Sequence, residues 1–121
     1  MTTISASHTS RPFNLDVGKT RKANAKVTTA TAYKKGDLLT LSAANVLTHA
    51  ADASTWSVIC GATLTSAEAT TAAANGTEIP IYIGGIYSVE AVSISGTALA
   101  TNQYAAARAQ ATKNNIELAK V

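Results

Sequence analysis

Two histidines, one cysteine and seven carboxylates are the side chains of this 121-residue chain that could do acid–base, nucleophilic or metal chemistry. His49 is followed three residues later by Asp52, and such a pair can serve as a general base, because imidazole titrates near neutrality and a carboxylate can hold its tautomer. The pair sits in a Thr- and Ala-rich stretch of a serine-rich chain, where such neighbours arise by chance, and a solvent-exposed loop histidine is the simpler reading. His8 lies in the polar N-terminal segment. Asp37, Glu78, Glu90 and Glu117 are isolated from one another, and none falls in a metal-ligand spacing.

Cys60 stands alone, which excludes an intramolecular disulfide and leaves fewer thiols than a structural zinc site commonly uses. Its neighbours Val58, Ile59 and Gly61 point to a buried, inert core thiol. The seven glycines match neither G-x-G-x-x-G nor G-x-x-x-x-G-K-[ST], so nucleotide chemistry has no support. Asn75-Gly76-Thr77 matches a glycosylation acceptor formally and reads better as a turn. No catalytic residue, no metal and no cofactor is expected, and the chain does not read as an enzyme.

Binding is the other kind of work the side chains could do. Residues 1–35 hold seven basic groups (Arg11, Lys19, Arg21, Lys22, Lys26, Lys34 and Lys35) against Asp16 alone, whereas residues 36–121 hold three basic and six acidic groups. A basic leader can release counterions from a phosphate backbone. Here it carries Phe13 as its one aromatic and no stripe of stacking rings, so an acidic protein surface is the expected partner and direct nucleic-acid binding is not. Trp56, Tyr82 and Tyr87 could line a sugar-binding face; core or subunit contacts are the more usual use of such rings.

The elements that must position these groups are mostly short strands. Residues 1–25 are rich in Ser, Thr, Asn, Lys and Arg, with too few apolar side chains to offset the entropy of ordering them, so they read as an extended N-terminal arm. Within it Phe13, Leu15 and Val17 alternate with Asn14 and Asp16, the period-two pattern of a strand awaiting a partner. Residues 26–121 form the body. Its expected strands are Val27 to Ala32, Leu38 to Leu41 after a Lys34-Lys35-Gly36-Asp37 turn, Val46 to Thr48 and Trp56 to Cys60, with Gly61 at a bulge or close backbone contact. Ile79, Ile81 and Ile83, then Gly84-Gly85, then Ile86 to Val89 predict a hairpin, with Pro80 at an edge or at a strand's start. Thr101 to Ala111 predicts one short helix with Thr101 as its N-cap, ended by Asn114-Asn115 and followed by a last strand at Ile116 to Leu118. The fold class expected is mainly β, a small sandwich or barrel-like domain.

Composition limits how such a body can be stabilised and where it works. The hydrophobic fraction is 46%, but 25 residues are alanine and aromatics make up 5%, so each buried side chain removes little area from water. Charged residues reach 14%, below the usual ~25%, and with 18 threonines the surface suits close packing against other protein. No apolar run approaches the ~18 residues of a membrane span. Met1-Thr2-Thr3-Ile4-Ser5 lacks the regions of a signal peptide, so folding in the cytoplasm that makes the chain is expected, and no membrane partner.

The order of features resembles the head decoration, or cement, proteins of tailed bacteriophages. The resemblance is carried by a polar arm, then Tyr33 to Leu41, Trp56 to Ala62 and Glu78 to Ile86, and an Ala-rich helix with Arg108 before Asn115-Ile116-Glu117-Leu118. These are small, apolar and glycine positions. The resemblance implies a β-rich homotrimer on the outer surface of the capsid, a component of the virion whose N-terminal arm clasps neighbouring major capsid proteins. The arm residues it points to are Arg11, Phe13, Leu15, Val17, Lys19, Arg21 and Lys22, and the candidate subunit-contact aromatics are Trp56, Tyr82 and Tyr87. The same β pattern would also serve a tail-tube or fibre subunit, or a carbohydrate-binding adhesin module.

Overall fold

The computed structural model describes residues 15–120. Eight strands and two helices follow one another as β1 (Asp16–Lys26), β2 (Leu38–Leu41), β3 (Leu47–His49), β4 (Val58–Cys60), α1 (Ser66–Asn75), β5 (Glu78–Ser88), β6 (Ser93–Ile94), β7 (Thr97–Ala98), α2 (Tyr104–Lys113) and β8 (Ile116–Ala119). The chain is mainly β, as its alternating, turn-bounded runs predict.

One sheet organises the molecule, in the order β1-β5-β4-β2-β3. β5 is its spine: β1 runs antiparallel along one side, while β4 and then the parallel β8 share the other. The sheet curls until its ends meet, because Lys26 at the end of β1 bridges Val46 just before β3, its amide donating to the Asn45 carbonyl at 2.8 Å. That single bridge makes the sheet barrel-like.

Each face of the sheet is covered by one alanine-faced helix. Leu39, Val58, Cys60, Ile79 and Ile81 form a core with Ala69 and Ala72 of α1. Leu38, Ile59, Tyr82, Tyr87 and Trp56 form the other with Ala107 and Ala111 of α2. Successive residues point to opposite faces of a strand, so Leu38 and Leu39 enter different cores, and β2 and β4 need apolar residues in sequence rather than in alternation.

Four expectations are corrected. Residues 16–26 are not a free arm but β1, paired with β5 from Asp16↔Tyr87 to Lys26↔Glu78. Leu15 is buried in the α2-side core, and its carbonyl accepts from the Ser88 amide. Of the period-two run Phe13 to Val17, Asp16 and Val17 open β1, whose partner is β5 of the same chain, while Phe13 and Asn14 lie outside the described residues. Val27 to Ala32 is not a strand; it is an irregular connection in which Ala30 takes a positive φ of 56°.

The Gly84-Gly85 hairpin does not form either, since β5 runs unbroken through both glycines. Gly18↔Ile86 and Arg21↔Gly84 are successive partners, which leaves β1 one residue too long there, and it bulges at Lys19-Thr20, with Lys19 at φ 54°. A Cβ on Gly85 would sit 2.8 Å from the Lys19 carbonyl oxygen, and Gly85 itself has φ 123°. The glycines accommodate a bulge in the neighbouring strand rather than a turn in their own. Pro80 sits near the start of β5, and β5 is interior rather than an edge.

The fourth correction is α1, a second helix where the sequence pattern predicts only the one near the C-terminus. Thr65 accepts from the Glu68 amide while the Glu68 carboxylate accepts from the Thr65 amide, a complete capping box. Gly76 closes it at φ 67°. The C-terminal helix forms where expected, but it enters through a 3-10 turn at Thr101–Gln103 with Ala100 rather than Thr101 in the cap position. The Lys34–Asp37 turn and the close contact at Gly61, whose added Cβ would meet the Pro80 carbonyl at 2.8 Å, stand as expected.

Candidate functional site

The tightest gathering of polar side chains lies where the Lys34–Asp37 turn, the end of β3 and the β6–β7 hairpin meet. Asp37 is 1% exposed. Its Oδ2 accepts from the Lys34 amide at 2.9 Å, and its Oδ1 accepts from the Gly96 amide at 2.9 Å and from the Ser93 hydroxyl. Its own carbonyl accepts from the Cys60 amide, and the Gly36 carbonyl accepts from the Ser93 amide. A carboxylate with three donors can stay buried, because hydrogen bonds replace lost water. Gly36 lets the turn approach: a Cβ there would lie 2.6 Å from the Ala91 carbonyl oxygen, and its φ is 101°.

His49 joins this node, with Asp37 and not Asp52 as its carboxylate neighbour. Its ring stacks on Tyr33 with centroids 5.2 Å apart, and its Nε2 lies 2.7 Å from the Ala32 carbonyl. A carbonyl only accepts, so Nε2 carries the proton. Nδ1 lies 3.7 Å from Asp37 Oδ2, too far and without a hydrogen bond. Asp52 instead accepts from the amide and hydroxyl of Ser54, and these bonds hold its carboxyl below the usual range. His49 is therefore a half-buried strand-end residue rather than the solvent-exposed loop histidine its sequence suggests.

Serine, aspartate and histidine are thus close together, yet in the wrong order for nucleophilic catalysis. A working triad places histidine between the hydroxyl and the carboxylate, so that imidazole takes the proton. Here Asp37 sits between Ser93 and His49, Ser93 is buried, and the only histidine N–H is spent on a backbone carbonyl. The node is a staple for three loops. No group of three or more His, Cys, Asp or Glu side chains suited to a metal occurs among the described residues. Burial pushes the Cys60 thiol up to about 11, which keeps it protonated and unreactive, as its apolar neighbours predict.

The aromatic candidates are corrected by burial. Trp56 is 0%, Tyr87 0% and Tyr82 4% exposed, all in the α2-side core, so none is available to a sugar or to a second subunit across an open surface. Tyr82 and Tyr87 pack at 5.1 Å, the Tyr87 hydroxyl donates to the Gly84 carbonyl, and the Trp56 carbonyl accepts from Gln110 of α2 and from Asn114, which caps that helix. Rings rich in apolar area fill a core that alanine leaves thin.

The arm residues divide. Arg11 and Phe13 lie outside the described residues. Leu15 is committed to the core, whereas Val17 is 46% exposed and Lys19, Arg21 and Lys22 stand exposed along β1, Lys22 with its ammonium 5.9 Å from the Tyr82 ring centroid. The structure therefore brings Lys19, Arg21 and Lys22 together on one element, but fixes that element to its own sheet. Among the described residues no helix is long and apolar enough to cross a membrane. Comparison with known protein families and with curated proteins finds no match to this chain.

Proposed function

We propose that this protein is a structural subunit of a phage head: a decoration, or cement, protein that binds the outside of the shell as a homotrimer, with the major capsid protein as its partner. The observation that carries the reading is the placement of three of the stretches on which the resemblance rests. Tyr33 to Leu41, Trp56 to Ala62 and Glu78 to Ile86 supply β2, β4 and β5, which are neighbours in one sheet. The polar residues that could have built a reaction centre are used as loop staples, which favours a packing role over a catalytic one.

The clamp must be smaller than an arm ending near residue 25. Once β1 belongs to the body, the clasping segment reduces to residues 1–14, with Phe13 as its apolar anchor and Arg11 as its cation. Burying one phenylalanine contributes at most about 3 kcal/mol, so one arm holds weakly and three on a trimer hold through effective concentration.

The test is to mix the purified protein with expanded heads assembled without it. Co-sedimentation in multiples of three copies, from a protein whose mass in solution is that of a trimer, is expected. Failure to bind, or a monomer both in solution and on the shell, overturns the proposal; rings or tubes would instead indicate a tail-tube subunit.

A further inference from the structure

The bulge in β1 and the glycines facing it leave a groove of about 630 Å³, walled on one side by β1 and on the other by α2 and β8. Lys19, Arg21 and Arg108 line it together with a single carboxylate, Glu117, over an apolar floor of Ile86 and Ile116. Three cations from two distant parts of the chain converge there, and among the described residues none of them is in an ion pair. The site is held in shape from both sides. Gly85 can take no side chain against the Lys19 carbonyl, Arg21 lies across Gly84 with its Cδ 3.0 Å from where a Cβ would be, and Arg108 Nε donates to the Leu118 carbonyl at 3.0 Å. That last bond orients the guanidinium and leaves its two terminal nitrogens for a carboxylate, which such a fork can engage through two parallel bonds.

We propose that this groove docks an acidic segment of another protein, one that places glutamate or aspartate side chains on Lys19, Arg21 and Arg108 and an aliphatic side chain on the half-buried Ile86. Charge complementarity sets the class of occupant. Residues 1–14 of this chain contain Arg11 and no carboxylate side chain, so they would add like charge to the groove. Nucleic acid fits less well, because no aromatic ring lines the groove to stack a base and Glu117 would meet the phosphates. The inference stands whether or not the chain decorates a shell, since it concerns what the groove binds and not where the protein sits.

Fluorescence anisotropy tests it with the full chain and three labelled probes: a short peptide alternating glutamate and leucine, the same peptide with lysine for glutamate, and an oligothymidylate of equal charge. The glutamate peptide should bind at low salt and weaken as salt rises, and the lysine peptide should not bind. K19Q/R21Q/R108Q should lose about tenfold or more in affinity, while K34Q/K35Q, which removes the same kind of charge outside the groove, should lose nothing. If the triple variant melts early, Thr112→Glu on the α2 wall gives an independent reading, because a new carboxylate there should repel the peptide. The proposal is overturned if the glutamate peptide does not bind, if it binds folded groove variants as well as wild type, or if oligothymidylate binds the same three residues more tightly.

Discussion

The first strand and the Lys34–Asp37 turn both gather polar residues, and they use them in opposite ways. Along β1, Lys19, Arg21, Lys22 and Lys26 stand exposed, each solvated, on a backbone that pairs with β5 on either side of the bulge. At the turn a single carboxylate is buried and accepts three hydrogen bonds, one from its own turn and two from the β6–β7 hairpin. In the first region the backbone holds and the side chains are free to meet a partner; in the second the side chain itself holds the fold. A charge density that looks like an arm in the sequence is compatible with a strand, because cations need only one solvated face, and Lys is a usual means of protecting a sheet edge.

The largest expected effect separates strand from arm. Deleting residues 1–24 removes nearly all of β1 and the Leu15 anchor, and should abolish cooperative unfolding by circular dichroism and collapse amide dispersion in NMR. Deleting residues 1–14 should leave the thermal midpoint within a few degrees and, under the proposed function, abolish attachment to heads. A body that stays folded without residues 1–24 would mean that β1 contributes nothing, and the comparison above would fail.

Next is the buried staple. Asp37→Ala strands the Lys34 and Gly96 amides and the Ser93 hydroxyl, and should cost about 3 kcal/mol or more in urea unfolding. Asp37→Asn retains the shape and part of the bonding, and should cost less. Equal costs for the two would show that acceptance by both carboxylate oxygens, not the shape that Asn keeps, is what matters there; no cost for Asp37→Asn would show the reverse. Gly85→Val returns to β1: its side chain would collide with the Lys19 backbone at a φ that disfavours any L residue, for a loss of about 2–3 kcal/mol. The same change at Gly96, where φ is 84° but a Cβ meets nothing within 4 Å, should cost only the strain, about 1 kcal/mol.

These sites also show what a sequence makes visible. β2, β4, β8 and the C-terminal helix are legible because local pattern and final environment agree: short apolar runs bounded by turn residues are strands, and the Ala-rich run is a helix. α1 was legible in principle, since Thr65 and Glu68 stand at the spacing of a capping box and Gly76 follows ten helical residues. Its alanines and threonines obscured it, having little hydrophobic amplitude for a periodic reading to detect. Gly84-Gly85 was not legible, because a turn and a receptacle for a neighbouring strand's bulge require the same residue type, and only the partner's register distinguishes them. The Asp37 node was invisible for a related reason: Ser93 and Gly96 lie 56 and 59 residues away.

A smaller effect concerns pH. Cys60 is held protonated up to about 11 by burial first, against an ordinary value of 9.0. For an acid whose folded value is raised, the unfolded chain loses its proton first, so stability is full below about pH 9 and falls as pH rises towards 11. The decline should be of the order of 1–2 kcal/mol between pH 8 and 11, and absent in Cys60→Ala measured against its own pH 8 value. In native protein at pH 8 the thiol should react slowly with a disulfide reagent and at once in denaturant. Rapid native reaction would show that the α1-side core opens around β4.

The smallest effect tests whether the exposed cations of β1 contribute to the fold at all. Lys22 lies with its ammonium 5.9 Å from the Tyr82 ring centroid, at the outer limit of a cation–π contact and on an exposed residue. Lys22→Gln should therefore cost about 0.5 kcal/mol or less in urea unfolding. Arg21→Gln should be equally mild, because the aliphatic stem that covers Gly84 is largely kept. A cost above about 1 kcal/mol for either would place these cations with Asp37 among the residues that hold the structure, and would leave β1 without the free side chains on which a docking role depends.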